Sequence, residues 1–154
     1  MGIFGKIFQR EQRKETPRKE VLIVCAHGTN SKRIADNLGL YFAKRRKPIT
    51  MVFRHVLKPY LTPTELVSDE DIRRASLILA PGPLGQLVET GHGMNFQGFL
   101  PPEEYKERWG WLAERVKINR KKVVPYFDED RNKFVPTGRL GKKVLEALKG
   151  SSSR

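Results

Sequence analysis

The sequence predicts an α/β fold in which a single open parallel four-stranded sheet is flanked by helices. Short apolar segments alternate along the chain with longer amphipathic ones, which favours strand–helix–strand units with parallel strands. The first apolar run, VLIV at 21–24, has the unbroken hydrophobicity of a strand that is buried on both faces. With 154 residues, the chain is long enough to form one domain with a hydrophobic core.

Apolar runs and turn residues place the elements in order. The strands are predicted at 21–26, 49–55, 76–80 and 122–127, and the helices at 31–46, 63–74, 102–116 and 138–148. Asn30 or Ser31 can cap the first helix, while Thr62 and Pro63 suit the cap and first position of the second. The long segment after the third strand, rich in glycine, proline and apolar residues, is interpreted as a binding loop or lid.

The ends of the chain differ in composition from its body. Residues 1–20 form a basic, partly apolar tail, either a frayed segment or a short helix that makes weak contact with an anionic membrane. The α/β domain is predicted over 21–149, and 150–154 are predicted to be disordered. The chain has one cysteine and no apolar run near the roughly 20 residues of a membrane span, so we expect a cytoplasmic protein.

The net charge of +13 limits the classes of partner. A strongly positive field attracts polyanions, which here means nucleic acid, an anionic membrane or a small molecule with many carboxylates. Two basic runs, KRRK at 44–47 and RKK at 120–122, could supply phosphate contacts. Nucleic acid is the less favoured partner at this point, because no known RNA- or DNA-binding signature is present.

The three histidines, His27, His55 and His92, are all predicted at one edge of the sheet. His27 follows the first strand, His55 ends the second, and His92 lies in the loop after the third. In open α/β sheets, this carboxyl edge is where ligands bind. Neutral imidazoles are common ligands of divalent transition metals, and three of them with an open position are typical of a catalytic site. We therefore predict that the three histidines bind a metal.

Several motifs resemble the small class II chelatases, the sirohydrochlorin cobalto- and ferrochelatases. They are VLIVCAHGTNSKRIADNL, MVFRHVLKPYLTPTELV, LILAPGPLGQLVETGHG and VPTGRLGKKVLEAL, in the order of the family and covering 21–148. One departure is His55, which stands where the family commonly has a glutamate and should change the metal preference.

The resemblance implies a chelatase-like domain that inserts a divalent metal into a polycarboxylate tetrapyrrole, as in siroheme and cobalamin biosynthesis. His27 and His92 would be catalytic, taking protons from the pyrrole nitrogens, and a divalent cobalt, iron or nickel ion, or zinc, would bind His27, His55 and His92. A homodimer is also expected. The residues that would bind the anionic substrate are Thr29, Asn30, Ser31, Lys32, Arg33, Gly91, Gly93, Met94 and Phe96.

An alternative is a basic α/β domain that binds nucleic acid or handles phosphate without chelatase activity. The turn CAHGTNS resembles the phosphate-binding cysteine loops of phosphotransferase-system IIB domains and low molecular weight tyrosine phosphatases. There, Cys25 would be a nucleophile activated by the helix N-terminus. The phosphatase loop, however, needs an arginine six residues after the cysteine, and position 31 is a serine. A small buried thiol in a strand is the simpler interpretation of Cys25.

Overall fold

A computed structural model describes residues 17–25, 29–56, 65–90, 102–128, 130–131 and 133–152. The strands in chain order are β1 (Lys19–Cys25), β2 (Ile49–His55), β3 (Ala75–Ala80), β4 (Val123–Pro125), β5 (Phe127–Asp128) and β6 (Lys133–Phe134). The helices are α1 (Thr29–Lys44), α2 (Asp69–Arg74), α3 (Leu84–Thr90), α4 (Pro102–Ile118) and α5 (Thr137–Ser152).

Four strands form the central sheet in the order β2-β1-β3-β4, and every neighbouring pair is parallel. The predicted fold class, a parallel four-stranded sheet flanked by helices, is therefore confirmed. Because the chain passes from β1 to β2 on one side and places β3 on the other, the strand order reverses at β1. All four strands begin at one edge of the sheet, which we call the amino edge, and end at the opposite carboxyl edge.

Two hydrophobic cores cover the two faces of the sheet. Alternate residues of β1 supply both, with Val21 and Ile23 in one core and Leu22 and Val24 in the other. The first core contains buried side chains of α1 and α5, and the second contains side chains of α2, α3 and α4. This two-sided burial explains the unbroken apolar run of the first strand.

The second helix is shorter than the sequence predicts. Helix α2 begins at Asp69, where Ser68 is the N-cap and forms a capping box with Asp71. Residues 65–68 precede it, and Leu66 forms a parallel bridge with His55, so the predicted helical conformation is wrong over this stretch. The predicted cap at Thr62 and Pro63 lies outside the described residues. A complete capping box at Ser68 is the local signal that fixes the true start.

The other differences lie at the carboxyl edge and at the ends of the chain. Helix α3 occupies part of the predicted loop after β3, and the rest of that loop, 91–101, lies outside the described residues. Strand β4 ends at Pro125, after which β5 and β6 pair as an antiparallel hairpin. Strand β1 begins at Lys19 and helix α5 continues to Ser152. No helix in the described part of the chain has both the length and the apolar character needed to cross a membrane.

Candidate functional site

The residues predicted for a ligand site at the carboxyl edge are only partly described by the structure. Thr29 and Asn30 start helix α1, and His55 ends β2. Six other residues of the predicted site lie outside the described part of the chain. They are His27, Gly91, His92, Gly93, Met94 and Phe96. That the three histidines lie close enough to share a metal ion therefore stays a prediction.

Ser31 lies in the first turn of α1 and is buried against the end of the sheet. Its hydroxyl is 2.9 Å from the hydroxyl of Tyr126, which itself donates a hydrogen bond of 2.9 Å to the carbonyl oxygen of Val24. Since the single proton of Tyr126 is used on Val24, Ser31 is the donor in the first bond. The Ser31 proton therefore points into the protein, where it stabilises the start of α1 against the sheet.

Cys25 and His55 are opposite each other in the register of β1 and β2, and both are buried. The Cys25 Sγ and His55 Nδ1 atoms are 3.7 Å apart, and the imidazole also packs edge-on against Phe53. Burial raises the pKa of the Cys25 thiol to about 12. Near neutral pH the sulfur is therefore a protonated thiol, whereas a cysteine nucleophile reacts as the thiolate.

Lys32 and Arg33, predicted to bind an anion, are both exposed on α1. The Lys32 Nζ atom lies 3.1 Å from the carboxylate of Asp36, one turn further along the helix. The two side chains are 59% and 60% exposed. Such an exposed pair contributes little to stability. Among the described residues, no group of three or more His, Cys, Asp or Glu side chains could bind a metal ion. The divalent metal and the homodimer remain predictions.

A strongly basic groove lies at the opposite, amino edge of the sheet. A groove of about 750 Å³ opens there between the starts of β1, β3 and β4 and the end of α5. Six cationic side chains from three segments of the chain line it, and we call it the basic groove. Its lining residues are Lys19, Arg73, Arg74, Ala75, Ser76, Asn119, Arg120, Lys121, Lys122, Ala147 and Gly150.

The topology gathers these cations because every strand of the central sheet is preceded by basic residues. Lys19 opens β1, Arg73 and Arg74 end α2 just before β3, and the run at 120–122 lies between α4 and β4. The second basic run, 44–47, begins at the last residue of α1 and continues toward β2 at the same edge. In a parallel sheet all these positions meet at one edge, although they are far apart in the sequence.

Carboxylates compensate only part of the charge in the basic groove. Arg74 pairs with Glu20 at 3.2 Å, and Arg73 pairs with Glu70 at 2.8 Å. The Lys121 Nζ atom donates a hydrogen bond of 3.0 Å to the carbonyl oxygen of Arg73. Of the six cations that line the groove, Lys19, Arg120, Lys121 and Lys122 form no ion pair with a carboxylate of the described residues. The groove therefore keeps a positive field.

Two helices that end at this edge carry an arginine where a glycine is favoured. Arg46 and Arg120 follow α1 and α4, and both have φ of 54°, in the left-handed region. The N–H of Arg46 bonds the Ala43 carbonyl and that of Lys47 bonds the Phe42 carbonyl, which is a Schellman motif. An L-residue in this conformation costs on the order of 1 kcal/mol, which glycine avoids.

The turn after α4 repeats this geometry. The N–H of Arg120 bonds the Lys117 carbonyl, and the N–H of Lys121 bonds the Val116 carbonyl. Both basic runs therefore have an arginine at the strained position, followed by a lysine. Cations near helix C-termini complement the helix dipole, but the dipole equals only about half a charge per helix. The number of cations at this edge exceeds what dipole compensation requires.

Comparisons with known proteins give no match to a family model and none to a curated protein. Among solved structures, the chain is similar to a low molecular weight protein tyrosine phosphatase from T. tengcongensis, with 13% identity, a TM-score of 0.39 and coverage of 65% of this chain and 95% of that chain. For a low molecular weight phosphotyrosine phosphatase from Vibrio cholerae O395, the identity is 15% and the TM-score 0.38, and the match covers 66% of this chain and 94% of that chain. For a low molecular weight protein tyrosine phosphatase from Bacillus subtilis, the identity is 16% and the TM-score 0.36, and the match covers 66% of this chain and 99% of that chain.

These structures belong to a different family from the class II chelatases, so the predicted chelatase family, metal insertion into sirohydrochlorin, and tetrapyrrole biosynthesis are wrong. The motifs that suggested them mark a buried strand, a glycine-containing turn and a helix, a unit that many doubly wound α/β folds share. Identities of 12–16% do not assign phosphatase activity to this chain. Position 31, where the phosphatase loop has an arginine, is a serine in this chain.

Proposed function

We propose that this protein binds the phosphate backbone of nucleic acid in the basic groove at the amino edge of the sheet. The observation that supports the proposal is the convergence of six cationic side chains on one groove of about 750 Å³. Contacts between lysine or arginine and phosphate release counterions, which is the main source of sequence-independent affinity for nucleic acid. The net charge of +13 adds long-range attraction for the same ligand.

The shape of the groove favours nucleic acid over an anionic membrane. Surfaces that bind bilayers combine basic residues with apolar side chains that enter the lipid. The apolar lining of the groove consists of Ala75 and Ala147, which are buried, beside Gly150. A concave site lined by cations and small residues can surround a phosphate chain, whereas a flat lipid surface would reach only its rim.

The proposal can be tested by fluorescence anisotropy with labelled nucleic acid, DNA and RNA, over a range of salt concentrations. We expect the logarithm of the association constant to fall linearly as the logarithm of salt concentration rises. Replacing Arg120 and Lys122 together by alanine should lower that slope by about two, roughly one for each phosphate contact removed.

A matched control is the double substitution Lys142→Ala/Lys143→Ala, on the exposed surface of α5. It removes the same formal charge away from the basic groove, so we expect it to leave the slope nearly unchanged. Equal losses from both double variants would show that net charge, and not the groove, determines binding. Binding to phosphatidylserine vesicles without binding to any nucleic acid would overturn the proposal.

A further inference from the structure

The turn at 45–47 lies beyond the basic groove but belongs to the same edge of the sheet. In the strand order β2-β1-β3-β4, it precedes the outermost strand on one side, and 120–122 precedes the outermost strand on the other. Three strand spacings of about 4.8 Å separate these outer strands by about 14 Å. Lys19 and Arg74 lie at the two strand starts between them.

The structure gives this turn a fixed shape. Arg45 stacks on the ring of Tyr41 at 3.6 Å and donates a hydrogen bond of 3.2 Å to the Tyr41 carbonyl oxygen. The Schellman motif fixes the backbone of the next two residues, Arg46 and Lys47, and both side chains are exposed. A rigid backbone that presents two cations loses little conformational entropy when it binds a fixed array of phosphates.

The chemistry of the basic groove separates single-stranded from double-stranded ligands. Proteins that bind single strands add base stacking on aromatic rings to their electrostatic contacts, at about 1–3 kcal/mol per base. None of the described residues that line the groove is aromatic. A site without stacking depends on phosphate density, which is highest in a duplex, at about one charge per 1.7 Å of helix axis.

We infer that the ligand is a nucleic-acid duplex that contacts the basic groove through one backbone and the Arg46–Lys47 turn through the other. This inference rests on the proposed function. The separation of about 14 Å between the outer strands is similar to the width of the major groove of B-form DNA, about 12 Å, across which two backbones face each other. Contacts with phosphates alone carry no sequence information, so binding should be independent of sequence.

The decisive experiment compares labelled duplex DNA, duplex RNA and oligothymidylate, each of about 20 nucleotides per strand, long enough for several phosphate contacts. We expect duplex DNA, whose major groove has the matching width, to bind at least about 10-fold more tightly than the single strand. The double variant Arg46→Gly/Lys47→Ala should lower the salt slope for the preferred duplex by about two. Its slope for oligothymidylate should stay unchanged, because a flexible single strand can follow the basic groove alone.

The same variant gives a readout that separates binding from folding. Glycine relieves the left-handed strain at position 46, so thermal unfolding should show a melting temperature equal to or above that of the wild type. Weaker duplex binding by an equally stable protein supports the inference. Equal or tighter binding of the single strand, or an unchanged duplex slope in the variant, overturns the inference and leaves the proposed function intact. Absence of binding to every nucleic acid overturns both.

Discussion

The Tyr126 hydroxyl donates a hydrogen bond to the carbonyl oxygen of Val24, which lies 102 positions earlier in the sequence. The same oxygen atom of Tyr126 accepts from the buried Ser31 hydroxyl. One phenol therefore connects the end of β1, the first turn of α1 and the residue after β4. Its ring is fully buried, and this burial raises its pKa well above the usual range, so the hydroxyl stays protonated.

Replacing Tyr126 by phenylalanine should destabilise the protein by about 1–3 kcal/mol. The ring would still fill the core, but the buried Val24 carbonyl would lose its donor and Ser31 would lose its acceptor. Chemical denaturation followed by circular dichroism would measure the change. The comparison variant Ser31→Ala leaves the bond from Tyr126 to Val24 in place, so we expect a smaller loss. A Tyr126→Phe protein as stable as the wild type would contradict this role of the hydroxyl.

Stability should fall at alkaline pH because of Cys25. Burial raises the pKa of this thiol to about 12 in the folded protein, from 9.0 in the unfolded chain. The folded state therefore binds the proton more tightly, and the resulting stabilisation is complete below about pH 8 and lost as pH rises toward 12. Urea unfolding of wild type and Cys25→Ala at several pH values would measure the difference.

The alanine variant lacks this titration, so its free energy of unfolding should decline less steeply with pH. The difference in slope between the two proteins approaches about 1.4 kcal/mol per pH unit above pH 9. Titrating groups that do not interact with Cys25 are present in both proteins and cancel in the comparison. The charge of an ionised Cys25 also raises the pKa of Tyr126, so this second effect adds to the difference at the alkaline end of the profile. Parallel pH profiles would show that Cys25 ionises in the folded protein as readily as in the unfolded chain.

Gly141→Ala should be destabilising although alanine is the better helix former. A Cβ atom at this position would overlap the Tyr41 ring, coming within 2.6 Å of Cδ1. That ring is fixed between Phe42 on one side and the stacked Arg45 guanidinium, so the overlap forces α1 and α5 apart. Overpacking of this kind costs about 1–3 kcal/mol.

The matched control is Gly39→Ala, since Gly39 is also helical and a Cβ there meets no atom within 4 Å among the described residues. We expect that variant to gain up to about 1 kcal/mol from helix propensity. Thermal melting of both variants measures the difference. Similar gains at the two positions would mean that α1 and α5 are not closely packed at Gly141.

The apolar pattern of the chain was sufficient to predict the fold class and most elements. The apolar run at 21–24 was enough to predict strand β1, because a strand that is buried on both faces shows no alternation of polar and apolar residues. The start of α2 at Asp69 could have been found from Ser68 and Asp71, which form a capping box in the sequence. Helix α3 was missed because its glycine and proline neighbours favoured a loop.

The candidate site was only partly predictable. The basic runs at 44–47 and 120–122 are plain in the sequence, but as separate runs each is explained by a helix C-terminus. The left-handed arginines at 46 and 120 give no local signal, since glycine is the residue expected at such positions. Lys19, Arg73 and Arg74 lie at the same edge as these arginines only because of the order of the strands in the sheet.

By itself, the sequence determined the positive charge of this protein, its alternation of strands and helices, and the position of each basic run beside a strand. Only the tertiary structure decided that those runs share one edge and that 120–122 forms one groove with Lys19, Arg73 and Arg74. The physical reason is that hydrophobic periodicity is a local property of the chain, whereas a surface depends on which strands become neighbours. In a parallel sheet, that order brings together residues as distant as Lys19 and Lys122.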